Sequence, residues 1–393
     1  MKKRITGSVS RFVKSVLVLA LAIAAVLMFQ VGIAQARKVQ PDPLSVVQGE
    51  PRVQVAILLD TSNSMDGLIA QAKSQLWKVV LEMSEWRKDG RRPRVEVALY
   101  EYGKQSLPAS EGFLRQVVPL TTDLDAVSEA LFGLTTYGGE EFCGQVIQAA
   151  VESLEWSASP DDLKMIFIAG NEPFTQGRVS FRSAIEAAAV RGIVVNTVHC
   201  GSHDEGVRGR WAEGASLGRG QYAAIDSNAR VAHVAAPQDD EIARLGQELN
   251  RTYVAYGAGS AKRKARQEEQ DMNAGSAGLG SVVSRTAVKA SAAYSNEDWD
   301  LVDAVSKGQV EATAVPAAEL PAEMRDMDGA GREKYVREMA DKRAGIQKKI
   351  RTLTAQREKH VQKQQKDAGS PDTLDTAVLK AVRDQADSKG FKK

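Results

Sequence analysis

Val55-Ala-Ile-Leu-Leu-Asp60-Thr-Ser62-Asn-Ser64-Met65 runs an almost unbroken apolar segment straight into Asp-x-Ser-x-Ser. An apolar run of this kind, starting at Val53, is the pattern of a β-strand buried on both faces, as in parallel sheets. The polar residues that end it admit two readings. Asp and Ser cap the free N–H groups at the start of a helix. One carboxylate and two hydroxyls at alternate positions also suit a hard divalent cation, which takes oxygen ligands.

The residues beyond the motif decide the fold class. Ile69, Ala72, Leu76, Val80 and Met83 recur at helical spacing, and Val95, Val97 and Leu99 then alternate as a second strand. Phe113 to Val118 is expected to pair antiparallel with that strand. Beyond it, strands at Met165–Ala169, Ile193–Val198 and Gln221–Ile225 alternate with helices marked by Val146, Ile147 and Val151, by Phe181, Ile185 and Ala188, and by Ile242, Leu245 and Leu249. This alternation predicts an α/β fold, a doubly wound, mostly parallel sheet with helices on both faces. Ligands of such sheets bind beyond the carboxyl ends of the strands, where Asp60 falls. Neither Gly-x-Gly-x-x-Gly nor Gly-x-x-x-x-Gly-Lys-Ser/Thr comes after the first strand, so no dinucleotide or nucleoside triphosphate is indicated.

The flanks add context. Residues 1–36 place Lys2, Lys3, Arg4, Arg11 and Lys14 before an uncharged run from Val16 to Phe29, with Ala34-Gln35-Ala36 after it. This is the layout of a secretory signal peptide, and an uncleaved anchor is its alternative. Residues 37–52 form a leader. The protein is therefore expected to be exported, to the periplasm or cell envelope, touching membrane only through that first segment. In an oxidising compartment, Cys143 and Cys200 read as a disulfide, with two separate buried thiols as the alternative. A net charge of +2 gives no push toward nucleic acid.

Leu-Leu-Asp60-Thr-Ser62-Asn-Ser64-Met65 at the end of a first strand resembles the metal-ion-dependent adhesion site of von Willebrand factor type A (vWA) domains, here in an exported, bacterial-type protein. The resemblance covers about Val53 to Tyr256, giving a vWA domain at 53–257. It implies Mg2+ or Mn2+, with Ca2+ as a further candidate, held by Asp60, Ser62 and Ser64. It also implies ligands from two later loops. Members of the family usually place a Thr in the second loop; Thr135-Thr136-Tyr137-Gly138-Gly139-Glu140-Glu141 stands there instead, making Glu141 the first candidate and Thr136 the second. In the third loop, Gly170 occupies the position where the family often has an Asp, with Asn171 and Glu172 next to it. In the implied fold, Cys143 and Cys200 both lie at the metal-bearing face, where a bridge would pin the second loop.

The function this implies is metal-dependent protein binding, in which the partner donates a carboxylate to the ion. No enzyme is expected, because neither a Gly-x-Ser-x-Gly elbow nor a His-Glu-x-x-His pair occurs. His199-Cys200-x-x-His203 only superficially resembles a zinc cluster, since residues around a strand end need not converge. A hydrolase with an unrecognised site is one alternative. A structural envelope protein acting through residues 258–393 is another.

That region reads as a helical extension. Its longest segment, 332–366, carries a seam of Val336, Met339, Ile346, Ile350 and Leu353 interrupted by Arg343, as in a helical hairpin or short coiled coil. Trp299, Val302 and Val305 form an apolar patch expected to dock on the first domain. From Gly331 onward, 17 Lys and Arg stand against 9 Asp and Glu, a basic balance that reads as a solvated face.

Overall fold

The computed structural model describes residues 49–229, 233–365 and 374–393; the expected signal peptide and most of the expected leader lie outside them. Among the described residues no helix is long and apolar enough to cross a membrane. The chain adopts the expected alternation. Strands β1 (Arg52–Asp60), β2 (Arg94–Tyr102), β3 (Leu114–Thr121), β4 (Leu163–Gly170), β5 (Val194–Cys200) and β6 (Arg219–Ile225) form one sheet. Its order is β3-β2-β1-β4-β5-β6. All neighbouring pairs are parallel except β2 with β3, as the short connection between them demands. The order reverses at β1, whose neighbours are β2 and β4, so the crevice of this doubly wound sheet opens beside Asp60.

Helices α1 (Asp66–Ser84), α2 (Leu124–Phe132), α3 (Cys143–Ser153), α4 (Phe181–Val190), α5 (His203–Arg208), α6 (Trp211–Leu217) and α7 (Asp239–Asn250) cover the sheet. The two faces hold separate cores. On one, Ala56, Leu58, Tyr100, Tyr102, Ile166 and Ile168 pack against α3, α4 and α6. On the other, Val55, Leu59, Val97, Leu99, Met165 and Phe167 pack against α1, α2 and α7. Successive strand residues alternate between these cores, so a single slip of register would exchange them.

The remaining helices are α8 (Ser260–Ser276), α9 (Leu279–Lys289), α10 (Leu301–Ser306), α11 (Gly329–Gln365) and α12 (Leu374–Ser388). They belong to the same compact unit as the sheet, which runs from Glu50 to Lys393. The seam of α11 is real, with Val336, Ile346 and Ile350 buried, but it packs against α7, α9 and α10 of its own chain. The hairpin or coiled coil is therefore replaced by docking. Arg343, read as an interruption, is buried there and bonds Thr252, Asp300 and Asp303. Trp299 docks back as expected, stacked on Tyr253. Helix α12 lays Leu374, Val378 and Val382 into the α1 side of the sheet, and Phe391 beyond it is fully buried beside Trp86.

Candidate metal centre

Strand β1 delivers Asp60 to the sheet edge fully buried, with Oδ1 accepting the Ser62 N–H at 2.7 Å. The chain then makes a short 3-10 turn (Asn63–Met65) before α1. The Ser62 and Ser64 hydroxyls meet at 3.3 Å. Neither the turn nor α1 is capped by a side chain, so the motif does not serve as a helix cap.

The second loop is pinned by backbone bonds from Tyr137 N–H to Thr61 O (2.9 Å) and from Gln105 N–H to Gly138 O (2.8 Å). Gly139 is obligatory in this contact, because a Cβ there would stand 2.5 Å from the Gln105 nitrogen. So anchored, the loop brings Glu141 against Asp60. Burial raises the Asp60 carboxyl above its ordinary range. Glu141 is pushed up to about 9, first by burial and then by the charge of Asp60. Two carboxylates facing each other in a low-dielectric site call for a shared proton or a cation. Thr136, the other candidate in this loop, is not brought to the pair by a hydrogen bond; its hydroxyl donates to Asp66.

The third loop supplies Asn171, whose Nδ2 donates to Ser64 Oγ at 3.1 Å. Gly170 has a steric cause. A Cβ there would lie 2.5 Å from the Tyr102 hydroxyl and 3.0 Å from Asp60 Oδ2, so any side chain at this position collides. The Tyr102 hydroxyl, donating to Ala169 O at 3.0 Å, fills the space instead. Gly103 is a second close approach: a Cβ would stand 2.7 Å from Asp60 Oδ1 and 2.8 Å from Glu141 Cγ. The roles of Tyr102 and Gly103 escaped sequence reading. The only trace of them was the place of Tyr102 at the end of β2, in register with Asp60, with Gly103 next in the chain.

Three oxygens of this cluster, Asp60 Oδ2, Glu141 Oε2 and Asn171 Oδ1, are buried without a hydrogen-bond partner. Burying such groups unpaired is costly, which is the signature of a site completed by something else. The donor set is oxygen throughout, two carboxylates, two hydroxyls and an amide, and it fits a hard divalent cation.

The disulfide is not formed. Cys143 and Cys200 are both free and buried. Cys143 sits in the α3 core, with its sulfur 3.9 Å from the Tyr102 hydroxyl, whereas the alternation of β5 turns Cys200 into the core on the opposite face. The same alternation separates Cys200 from His199, whose ring lies 5.7 Å from Trp211. His203 is exposed on Tyr222. Among the described residues no group of three or more His, Cys, Asp or Glu forms a metal cluster.

Residues 54–225 match the von Willebrand factor type A domain. The match spans the sheet from β1 to β6 together with the loops of the candidate metal centre. No curated protein sequence matches the chain. Similar solved structures include the conserved hypothetical protein BatB from Bacteroides thetaiotaomicron, 20% identical with a TM-score of 0.34, covering 44% of this chain and 90% of that one. An aerotolerance-related membrane protein from Bacteroides fragilis is 19% identical with a TM-score of 0.31, covering 45% and 93%. Proximal thread matrix protein 1 from the mussel byssus, with a zinc-occupied MIDAS motif, is 11% identical with a TM-score of 0.33, covering 44% and 42%.

Proposed function

We propose that this protein is a metal-dependent protein-binding module of the cell envelope, without enzymatic activity of its own. The observation that carries the reading is the set of buried, unpartnered oxygens on Asp60 and Glu141 at the carboxyl end of β1. Asp60, Ser62, Ser64 and Glu141 would hold the ion, Mg2+ or Mn2+ with Ca2+ third. Thr136 would stand behind them through Asp66. When bound, the ion supplies a point of positive charge to which a partner protein's carboxylate attaches. The exposed Tyr137, on the loop that carries Glu141, offers contact area beside that bond. Export to the envelope rests on the amino-terminal signal.

The test is thermal melting with Mg2+, Mn2+ or chelator. Wild-type protein is expected to gain stability from at least one ion, and Asp60→Ala to lose that gain. Melting unmoved by every divalent ion would refute the site. A pull-down from envelope extract, with Mg2+ and with chelator, then separates ion-dependent from ion-independent partners.

A further inference from the structure

Resting on the metal reading above, we propose that Glu141 is an internal stand-in for the partner's carboxylate, which the partner must displace to bind. The first support is charge. A divalent cation held by Asp60 and Glu141 would meet two negative charges before any partner arrives, and Ser62, Ser64 and Asn171 are neutral. Glu172 adds a third carboxylate whose charge reaches both acids. A partner's carboxylate therefore approaches a site with no remaining positive charge, unless one of the two acids withdraws.

The second support is the unequal way the two acids are held. Asp60 cannot withdraw: it is 0% exposed, ends a central strand, and has Oδ1 committed to the Ser62 N–H. Glu141 can. Although only 6% exposed, it sits in the loop before α3, and its backbone N–H reaches only Gln176 Oε1 at 3.4 Å. Its longer side chain can swing out while the loop stays anchored at Tyr137 and Gly138. A side chain at Gly103 would collide with the Glu141 Cγ. In the exchange, the coordination bond to Glu141 breaks as an equivalent one forms to the incoming carboxylate, so the charge at the site is conserved.

The two states make opposite demands on Glu141. It strengthens ion binding when no partner is present and weakens attachment of a carboxylate from outside. Both are measurable with Mn2+ as the metal and acetate as the carboxylate, on the full chain, by titration calorimetry and water-proton relaxation. Wild-type protein is expected to bind Mn2+ with an affinity that acetate, compared with chloride at equal ionic strength, leaves unchanged. Glu141→Ala should weaken Mn2+ on the order of tenfold, since affinity depends on the number of charged ligands. It should also raise the water relaxation and recover affinity when acetate is added. Glu141→Gln, which keeps the size of the side chain, should weaken Mn2+ as well, and a wild-type melting profile for it in chelator excludes misfolding as the cause. Mn2+ affinity and relaxation unchanged in both variants, or acetate acting equally on wild type and Glu141→Ala, would overturn the proposal. Wild-type protein that takes up no Mn2+ would overturn the metal reading itself, and this one with it.

Discussion

Replacing Arg343 by Ala tests whether the carboxy-terminal helices are part of the body that carries the site. The guanidinium is 4% exposed, lies 4.2 Å from the Tyr253 ring, and donates to Thr252 O, Asp300 Oδ2 and Asp303 Oδ1, each at 2.6 Å. Asp300 is itself fully buried. Without Arg343 it keeps hydrogen bonds from the Val254 and Asp303 N–H groups but loses its countercharge, and Asp303 remains beside it. Breaking a buried pair from one side costs about 3–5 kcal/mol. That is a large share of a total stability of roughly 5–15 kcal/mol. The assay is urea unfolding monitored by far-UV circular dichroism and by fluorescence, the tryptophans including Trp77 and Trp211 in the sheet cores and Trp299 against Tyr253. The expected result is one coincident transition moved to lower urea, with Arg343→Ala/Asp300→Asn recovering part of the loss because the fully buried Asp300 charge is then gone and only Asp303 has lost its countercharge. A loss below about 1 kcal/mol would refute the energetic reasoning. A separate early transition that leaves the sheet signal in place would refute the single body.

The other predictions concern the metal centre. Gly170→Ala forces a Cβ to 2.5 Å from the buried Tyr102 hydroxyl, so a loss of about 1–3 kcal/mol is expected, together with loss of any ion-dependent shift in melting. Gly170→Asp, although it adds an acid beside Asp60, should do no better. In chelator, the folded state holds a proton on Glu141 up to about pH 9, whereas the unfolded chain releases it near its ordinary value of 4.5. The stabilisation from that proton is complete below the lower value and is lost as pH rises through the higher one. At 1.4 kcal/mol per pH unit, stability in chelator should fall by at most about 3 kcal/mol between roughly pH 5 and pH 7. Glu141→Gln should flatten that slope, and ion uptake by wild-type protein at neutral pH should release a proton, seen as a dependence of calorimetric heat on buffer.

The sheet was legible because its signals are local and redundant. Unbroken apolar runs marked β1 and β4, and helical spacing marked α1 from Ile69 to Met83. Half of the site was legible for the same reason, since Asp60, Ser62 and Ser64 lie within one turn of chain. Glu141 was reached only through resemblance, because its approach to Asp60 depends on backbone bonds between loops distant in sequence, Gln105 to Gly138 and Tyr137 to Thr61. The absence of an acid at Gly170 was visible, but its cause, the Tyr102 hydroxyl from a neighbouring strand, was not. The disulfide failed because compartment and approximate position say nothing about which face of a strand a cysteine takes. Parity along β5, with Val195 in one core and Val198 and Cys200 in the other, decides that.

The boundary near Gly257 misleads for a related reason. Composition changes there, and Gly257 and Gly259 both take positive φ, as a linker would. Yet polar groups within residues 53–257 are completed from beyond it. Asp125 on α2 is buried against Arg285, Asp239 at the start of α7 takes Arg357, and Asn196 on β5 pairs with Gln385 on α12. Apolar surface on α1 and the sheet is likewise covered by Leu374, Val378 and Val382. A chain cut after Gly257 would expose that apolar face and remove the partners of Asp125, so loss of partner binding in such a truncation would report unfolding as readily as loss of a contact. Whether residues 258–393 take part in binding is better asked with surface substitutions on the exposed side of α11, which leave Arg343 and Arg357 in place.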